Sequence, residues 1–168
     1  MTPLPTQIEG ARWLSSRKHA LLADSPRVGK TGAAIMALDD NFDDAVLVIT
    51  TASGRAVWRR AFRQWSGFER PRLRIVGWPE LTNATTRAAL LKQDWDRLIL
   101  DESHYGKSFE AKRTQAVYGQ MLDGGEHLNN HTALYACARG VWCLSGTPLP
   151  HDPSDIYPMM RALCPDRL

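Results

Sequence analysis

The chain has 168 residues, 43% apolar and 23% charged, with a formal net charge of +3 and three cysteines. That length and balance describe one folded domain with a sizeable core and exclude wholesale disorder; no apolar run approaches the ~20 residues that a bilayer-spanning helix needs. The opening MTPLPTQIEG has neither a basic start nor an apolar core, so it does not read as a secretory signal, and Cys137, Cys143 and Cys164, odd in number and without metal-ligand spacing, read as buried or free thiols of a reducing compartment.

Taken in chain order, the pattern alternates. A helix is predicted over Thr6–Ser15, a strand over His19–Ala23, a helix over Lys30–Leu38 and a strand over Ala45–Thr50. The helix Arg55–Trp65 follows, with Arg55, Arg59, Arg60 and Arg63 on one face and Val57, Trp58, Ala61, Phe62 and Trp65 on the other. A strand at Leu73–Gly77, a helix at Thr85–Leu91, a strand at Arg97–Leu100 and a helix at Thr114–Leu122 come next. The polar, glycine-containing stretch Asp123–Thr132 reads as a mobile loop, and its His127 and His131 as loop residues rather than metal ligands. The strand Val141–Leu144 and the helix Ser154–Leu163 complete the pattern. Such alternation requires crossover connections. It predicts an α/β domain with a mostly parallel central sheet covered on both faces, a three-layer arrangement.

Charge is uneven. Gly54 to Arg74 holds seven arginines against one glutamate, a local excess large enough to leave the rest of the chain net acidic. A solvated helix face accounts for some of these arginines; contact with a phosphate backbone, independent of base sequence and sensitive to salt, is the functional alternative.

Three short segments carry the chemistry. ADSPRVGKT (Ala23–Thr31) follows a strand and opens a helix, the setting a phosphate-binding loop requires. Gly29 lets backbone approach phosphate, Lys30 reaches the β and γ oxygens, and the Thr31 hydroxyl suits Mg²⁺, with the helix N-terminus adding amides. Arg27, Val28, Gly29, Lys30, Thr31 and Gly32 are therefore the candidate nucleotide-binding residues, although Asp24 stands where the strict pattern has its first glycine. LILDESH (Leu98–His104) ends a short apolar strand in Asp101 and Glu102, which a parallel sheet delivers to the same crevice. Asp101 would hold Mg²⁺, and Glu102 would orient and deprotonate a water for in-line attack on a γ-phosphate. LSGTP (Leu144–Pro148) places the Ser145 and Thr147 hydroxyls just past a third strand end.

In this order the segments resemble motifs I, II and III of superfamily-two helicases and translocases, in the Swi/Snf-related, annealing-helicase-like branch. The likeness extends to LPTQIEGARWL, similar to the glutamine segment of that superfamily, to Val46–Thr51 with Trp58 and Trp65, similar to motif Ia and its helix, to Tyr105 and Lys107 after motif II, and to SGTPLPHDPSDIYPMMRALCP. It implies a RecA-like P-loop lobe spanning residues 1–168 that binds ATP and Mg²⁺. Gln7 would contact adenine, Lys30, Asp101 and Glu102 would be catalytic, and Thr31 and Asp101 would face the metal. His104, Ser145 and Thr147 would couple the nucleotide to nucleic acid. Thr50, Thr51, Arg55 and Arg59 would approach double-stranded or branched DNA. Arg27 replaces a usual small glycine and Ser103 a usual alanine.

Motors of this class complete their site with arginines from a second RecA-like lobe. That lobe is expected beyond this chain in cis or supplied in trans, so the polypeptide alone is expected to bind nucleotide weakly and hydrolyse little. No membrane partner is expected, and the resemblance suits a bacterial or viral-host cytoplasm, or a nucleus if the source is eukaryotic. A restriction-type DNA translocase subunit and a non-catalytic module that docks DNA or a partner are the alternatives.

Overall fold

A computed structural model describes residues 2–38, 43–121, 128–129, 132–148 and 152–164. Helix α1 (Pro5–Ser15) starts with proline in its first turn, where a missing N–H costs nothing. Strand β1 (His19–Leu22), helix α2 (Lys30–Ala37), strand β2 (Val46–Thr50), helix α3 (Gly54–Trp65) and strand β3 (Leu73–Gly77) follow. After a 3₁₀ turn at Trp78–Thr82 come α4 (Ala84–Leu91), started by the Asn83 side chain accepting the Thr86 N–H, and β4 (Arg97–Asp101). A second 3₁₀ turn (Ser103–Gly106) leads to α5 (Lys112–Tyr118), the paired short strands β5 (Gln120–Met121) and β6 (Leu128–Asn129), then β7 (Val141–Leu144) and α6 (Tyr157–Leu163).

The main sheet has the order β1-β7-β4-β2-β3, and each of its four pairings is parallel. Period-two alternation sorts its residues between two cores. Val46, Val48, Ile99, Trp142 and Leu144 pack with α1, α2 and α3 on one face; Leu47, Ile49, Leu98, Leu100, Val141 and Cys143 pack with the 78–82 turn, α4 and α5 on the other. The expected three-layer α/β domain is thus present.

Some boundaries differ from expectation, each for a local reason. The helix expected over Thr114–Leu122 begins earlier and stops at Tyr118, because Gly119 takes a left-handed φ of 93° and turns the chain into β5. Ser154–Leu163 is split into a 3₁₀ turn at Pro153–Ile156, capped by Asp152, and α6, which carries Pro158 in its first turn. Val57, assigned to the apolar face of α3, is 57% exposed, while Trp58, Ala61 and Phe62 face the core. Most of the expected loop Asp123–Thr132, including His127 and His131, lies outside the described residues.

The described cysteines are free thiols. Burial pushes the Cys143 thiol up to about 12, and Tyr118, fully buried beside it, is raised as well. His19 at the start of β1 is lowered, first by burial and then by Lys18 and Arg97.

Candidate nucleotide site

Because all strands of the main sheet run parallel, their C-terminal ends share one edge, and the three motifs emerge there from β1, β4 and β7. Strand β7 lies between β1 and β4, so the ends of the latter two stand roughly 10 Å apart, two strand spacings.

The loop between β1 and α2 folds through two left-handed residues, Arg27 (φ 67°) and Gly29 (φ 89°). Arg27 therefore holds the backbone shape that a glycine adopts freely, at a cost of roughly 1–2 kcal/mol. Lys30 Nζ donates to the Asp24 and Ser25 carbonyls at 2.8 and 3.0 Å, so the ammonium sits inside the curve of its own loop. Thr31 follows on the first turn of α2. Gln7 closes the loop from α1: its Oε1 accepts the Leu4 N–H at 2.9 Å, and its Nε2 donates to the Gly29 carbonyl at 3.3 Å. A Cβ at Gly32 would stand 2.8 Å from that Nε2 and 3.1 Å from Trp65, which explains a glycine inside a helix. Gln7 is buried, so the residue expected at adenine is engaged by the loop itself.

The acids are held from behind. Asp101 Oδ2 accepts from Thr50 Oγ1 at 2.6 Å and from Trp58 Nε1 at 2.8 Å, while Trp78 Nε1 donates to the Asp101 carbonyl at 2.8 Å. Thr50, expected beside a DNA backbone, is fully buried, and its hydroxyl donates to this carboxylate. The sequence places Trp58 on the apolar face of its helix and does not single out Trp78, so the contact of both indoles with Asp101 is the part that sequence reasoning missed. The available signal was chemical: a buried indole N–H needs an acceptor. Glu102 adopts a left-handed φ of 50°, a strained conformation for a non-glycine residue, which turns its side chain away from the path of β4.

His104 bridges the second and third motifs. Its Nδ1 lies 3.3 Å from Glu102 Oε2 and 3.1 Å from Ser145 Oγ, and Ser145 Oγ in turn accepts the Thr147 N–H at 3.1 Å. Ser145 is fully buried and donates its own N–H to the Leu22 carbonyl of β1. Gly146 approaches the phosphate loop so closely that a Cβ there would lie 2.9 Å from Pro26. The third segment is thus in direct contact with both of the others. Lys107 and Asp155 add an ion pair at 3.5 Å across the extensions of motifs II and III.

The expected nucleic-acid residues divide. Thr51 accepts the Gly54 N–H at 3.0 Å at the start of α3, and Arg55 is paired with Glu80. Arg59 is exposed and has no acidic partner among the described residues. A pocket of about 450 Å³ lies beside the phosphate loop, walled by Thr6, Glu9 and Trp13 of α1 and by Asp24, Ser25 and Val28.

This sheet and this grouping of motifs at its edge define a RecA-like α/β lobe. Residues 6–168 match the SNF2-related domain, and the chain belongs to that family. It is 29% identical over 177 residues to the SWI/SNF-related matrix-associated actin-dependent regulator of chromatin subfamily A-like protein 1 of Xenopus tropicalis, and 28% identical to the Bos taurus protein of the same name. Each alignment covers 96% of this chain and 17% of the relative, so the chain spans about a sixth of those proteins. The Sulfolobus solfataricus SWI2/SNF2 ATPase core, solved in complex with dsDNA, shares the fold with a TM-score of 0.75 at 21% identity, over 98% of this chain and 36% of that one.

Proposed function

We propose that this chain is the ATP-binding lobe of a DNA-dependent ATPase of the translocase type, with hydrolysis completed by a second RecA-like lobe. The observation that carries this reading is the contact of the three motifs at one sheet edge, with Lys30 in the loop, Asp101 fixed by Thr50 and Trp58, and Glu102 linked to Ser145 through His104.

The residues fit Mg·ATP. The left-handed turn at Gly29 opens α2, and the N–H groups of a helix's first turn, which point out of its end, suit phosphate oxygens. Lys30 exchanges loop carbonyls for phosphate oxygens. Gln7 braces the loop through the Gly29 carbonyl, and the 450 Å³ pocket takes the base. Thr31 and Asp101 would hold the metal, which when bound would supply positive charge to offset that of the phosphates. Glu102 holds the attacking water and accepts its proton. His104 and Ser145 carry the state of that acid to the loop containing Thr147, and Thr51 at the start of α3 faces the DNA backbone.

The test is thermal melting with ATP, with and without Mg²⁺, beside phosphate release with and without double-stranded DNA. A Mg²⁺-dependent rise in melting temperature, lost in Lys30→Ala, is expected, with little hydrolysis by this lobe alone, since a missing arginine finger costs on the order of 10³–10⁵ in rate. DNA-stimulated phosphate release well above Lys30→Ala refutes the need for a second lobe. No nucleotide effect on melting refutes ATP binding and favours a docking module.

A further inference from the structure

Strand β3 ends the sheet, and among the described residues no strand lies on the side of it away from β2. The parallel register, with the Val46 N–H donating to the Arg72 carbonyl, turns Arg72, Arg74 and Val76 toward β2 and Leu73, Ile75 and Gly77 outward. Two outward N–H groups are answered: Leu73 donates to Arg70, and Gly77 to Glu80 Oε1. Among the described residues nothing answers the Ile75 N–H or the carbonyls of Leu73 and Ile75, which remain as an open edge. That edge forms the floor of a groove of about 1050 Å³, walled by α3 on one side and by Thr86 and Ala89 of α4 on the other. Five residues of strand give it a length of about 16 Å.

Arg59 and Arg74 line this groove with no carboxylate partner among the described residues, and Arg72 beside them donates to the Asp43 carbonyl at 3.2 Å. Glu80, also in the lining, is already answered by Arg55 and by the Gly77 N–H.

We infer that the groove is a docking site for an extended, acidic segment of a partner protein, which adds a strand to β3. The alternation of donor and acceptor along the edge is what a polypeptide matches. A nucleic-acid backbone offers acceptors only and would leave the Leu73 and Ile75 carbonyls facing phosphate oxygens. A second copy of this chain would bring arginine against arginine, so the same charges that deter edge-to-edge pairing select an acidic strand.

The probe is a fluorescein-labelled seven-residue peptide alternating glutamate and valine, followed by anisotropy. Comparison probes are the same peptide N-methylated on alternate amides and a labelled double-stranded oligonucleotide. The peptide is expected to bind and to slow hydrogen exchange at the Ile75 amide. Arg74→Glu, an exposed position, should weaken binding about tenfold, and Ala89→Trp, which fills the groove from α4, should abolish it. N-methylation should abolish it too. Equal binding of the N-methylated peptide, unchanged exchange at Ile75, or loss of oligonucleotide rather than peptide binding in Ala89→Trp each overturns the proposal.

Discussion

Gln7 offers the sharpest test of how the phosphate loop is held. Its amide is engaged at both ends, by the Leu4 N–H and by the Gly29 carbonyl 22 residues away. A neutral hydrogen bond contributes about 1 kcal/mol net. Leu4 is 56% exposed and regains water when its partner is removed, so the Gly29 contact and the packing against Gly32 carry most of the effect. Gln7→Ala should therefore lower the unfolding free energy by roughly 1–2 kcal/mol, read as a melting temperature lower by about 3–6 °C at this chain length. Gln7→Glu keeps the acceptor toward Leu4 but turns a carboxylate oxygen on the Gly29 carbonyl, so at neutral pH it should be the more damaging change. Urea unfolding of the three proteins without nucleotide measures this, and ATP and GTP titrations of Gln7→Ala extend it. A brace acts before the base arrives, so both nucleotides should lose affinity alike. A Gln7→Ala protein as stable as the parent, with affinity lost for ATP alone, would refute the brace and restore direct adenine contact.

Trp58→Phe removes the indole donor to Asp101 while leaving the Thr50 hydroxyl, a charge-assisted bond worth about 1.5–3 kcal/mol; denaturant unfolding should show that loss, and the Mg²⁺ concentration needed for a nucleotide-induced melting shift should rise. Gly146→Ala should displace the phosphate loop through Pro26 and reduce the Mg·ATP melting shift; an unaltered shift sinks the claimed contact between the two loops. His19 has a lowered pKa in the folded protein, so the unfolded chain binds its proton first as pH falls below about 6.5. Stability should decline between that value and the native one, and His19→Gln should flatten this limb of a pH–urea series. Cys143, pushed up to about 12 inside the core, should resist alkylation at pH 8 under native conditions, while the partly exposed Cys164 reacts and Cys137, itself raised by burial and by Asp94, reacts more slowly, as peptide mass spectrometry would show.

The parts of the fold that were legible in the sequence share one property: their cause is local. Strands with period-two or continuous apolar runs, the glycine-lysine-threonine turn and the acid pair at a strand end are all written within a few residues. What escaped depends on neighbours distant in the chain. Thr50 ends a predicted strand with no visible partner until β4 is placed beside β2, which brings Asp101 against it 51 residues away. Gln7 meets the phosphate loop only because α1 packs on α2. Val57 shows the limit of helical periodicity: α3 has a wide apolar arc, and docking decided which part of it is buried. Gly119 was readable as a stop signal, yet the apolar residues after it extended the helical pattern past its true end.

The strand order also distributes mechanical support unequally across the site. Strand β1, four residues long, sits at the margin of the sheet and among the described residues is laddered to β7 alone, whereas β4 lies between β7 and β2. The cradle is hung from the less anchored strand and the acids are mounted on an interior one. Local opening free energy falls where ladders are few, so thermal breathing should separate Lys30 from Asp101 chiefly by motion on the lysine side. A ligand that spans both then works as a tie across the sheet, and the dividend of binding should be slower amide exchange in His19–Leu22 rather than in Arg97–Asp101.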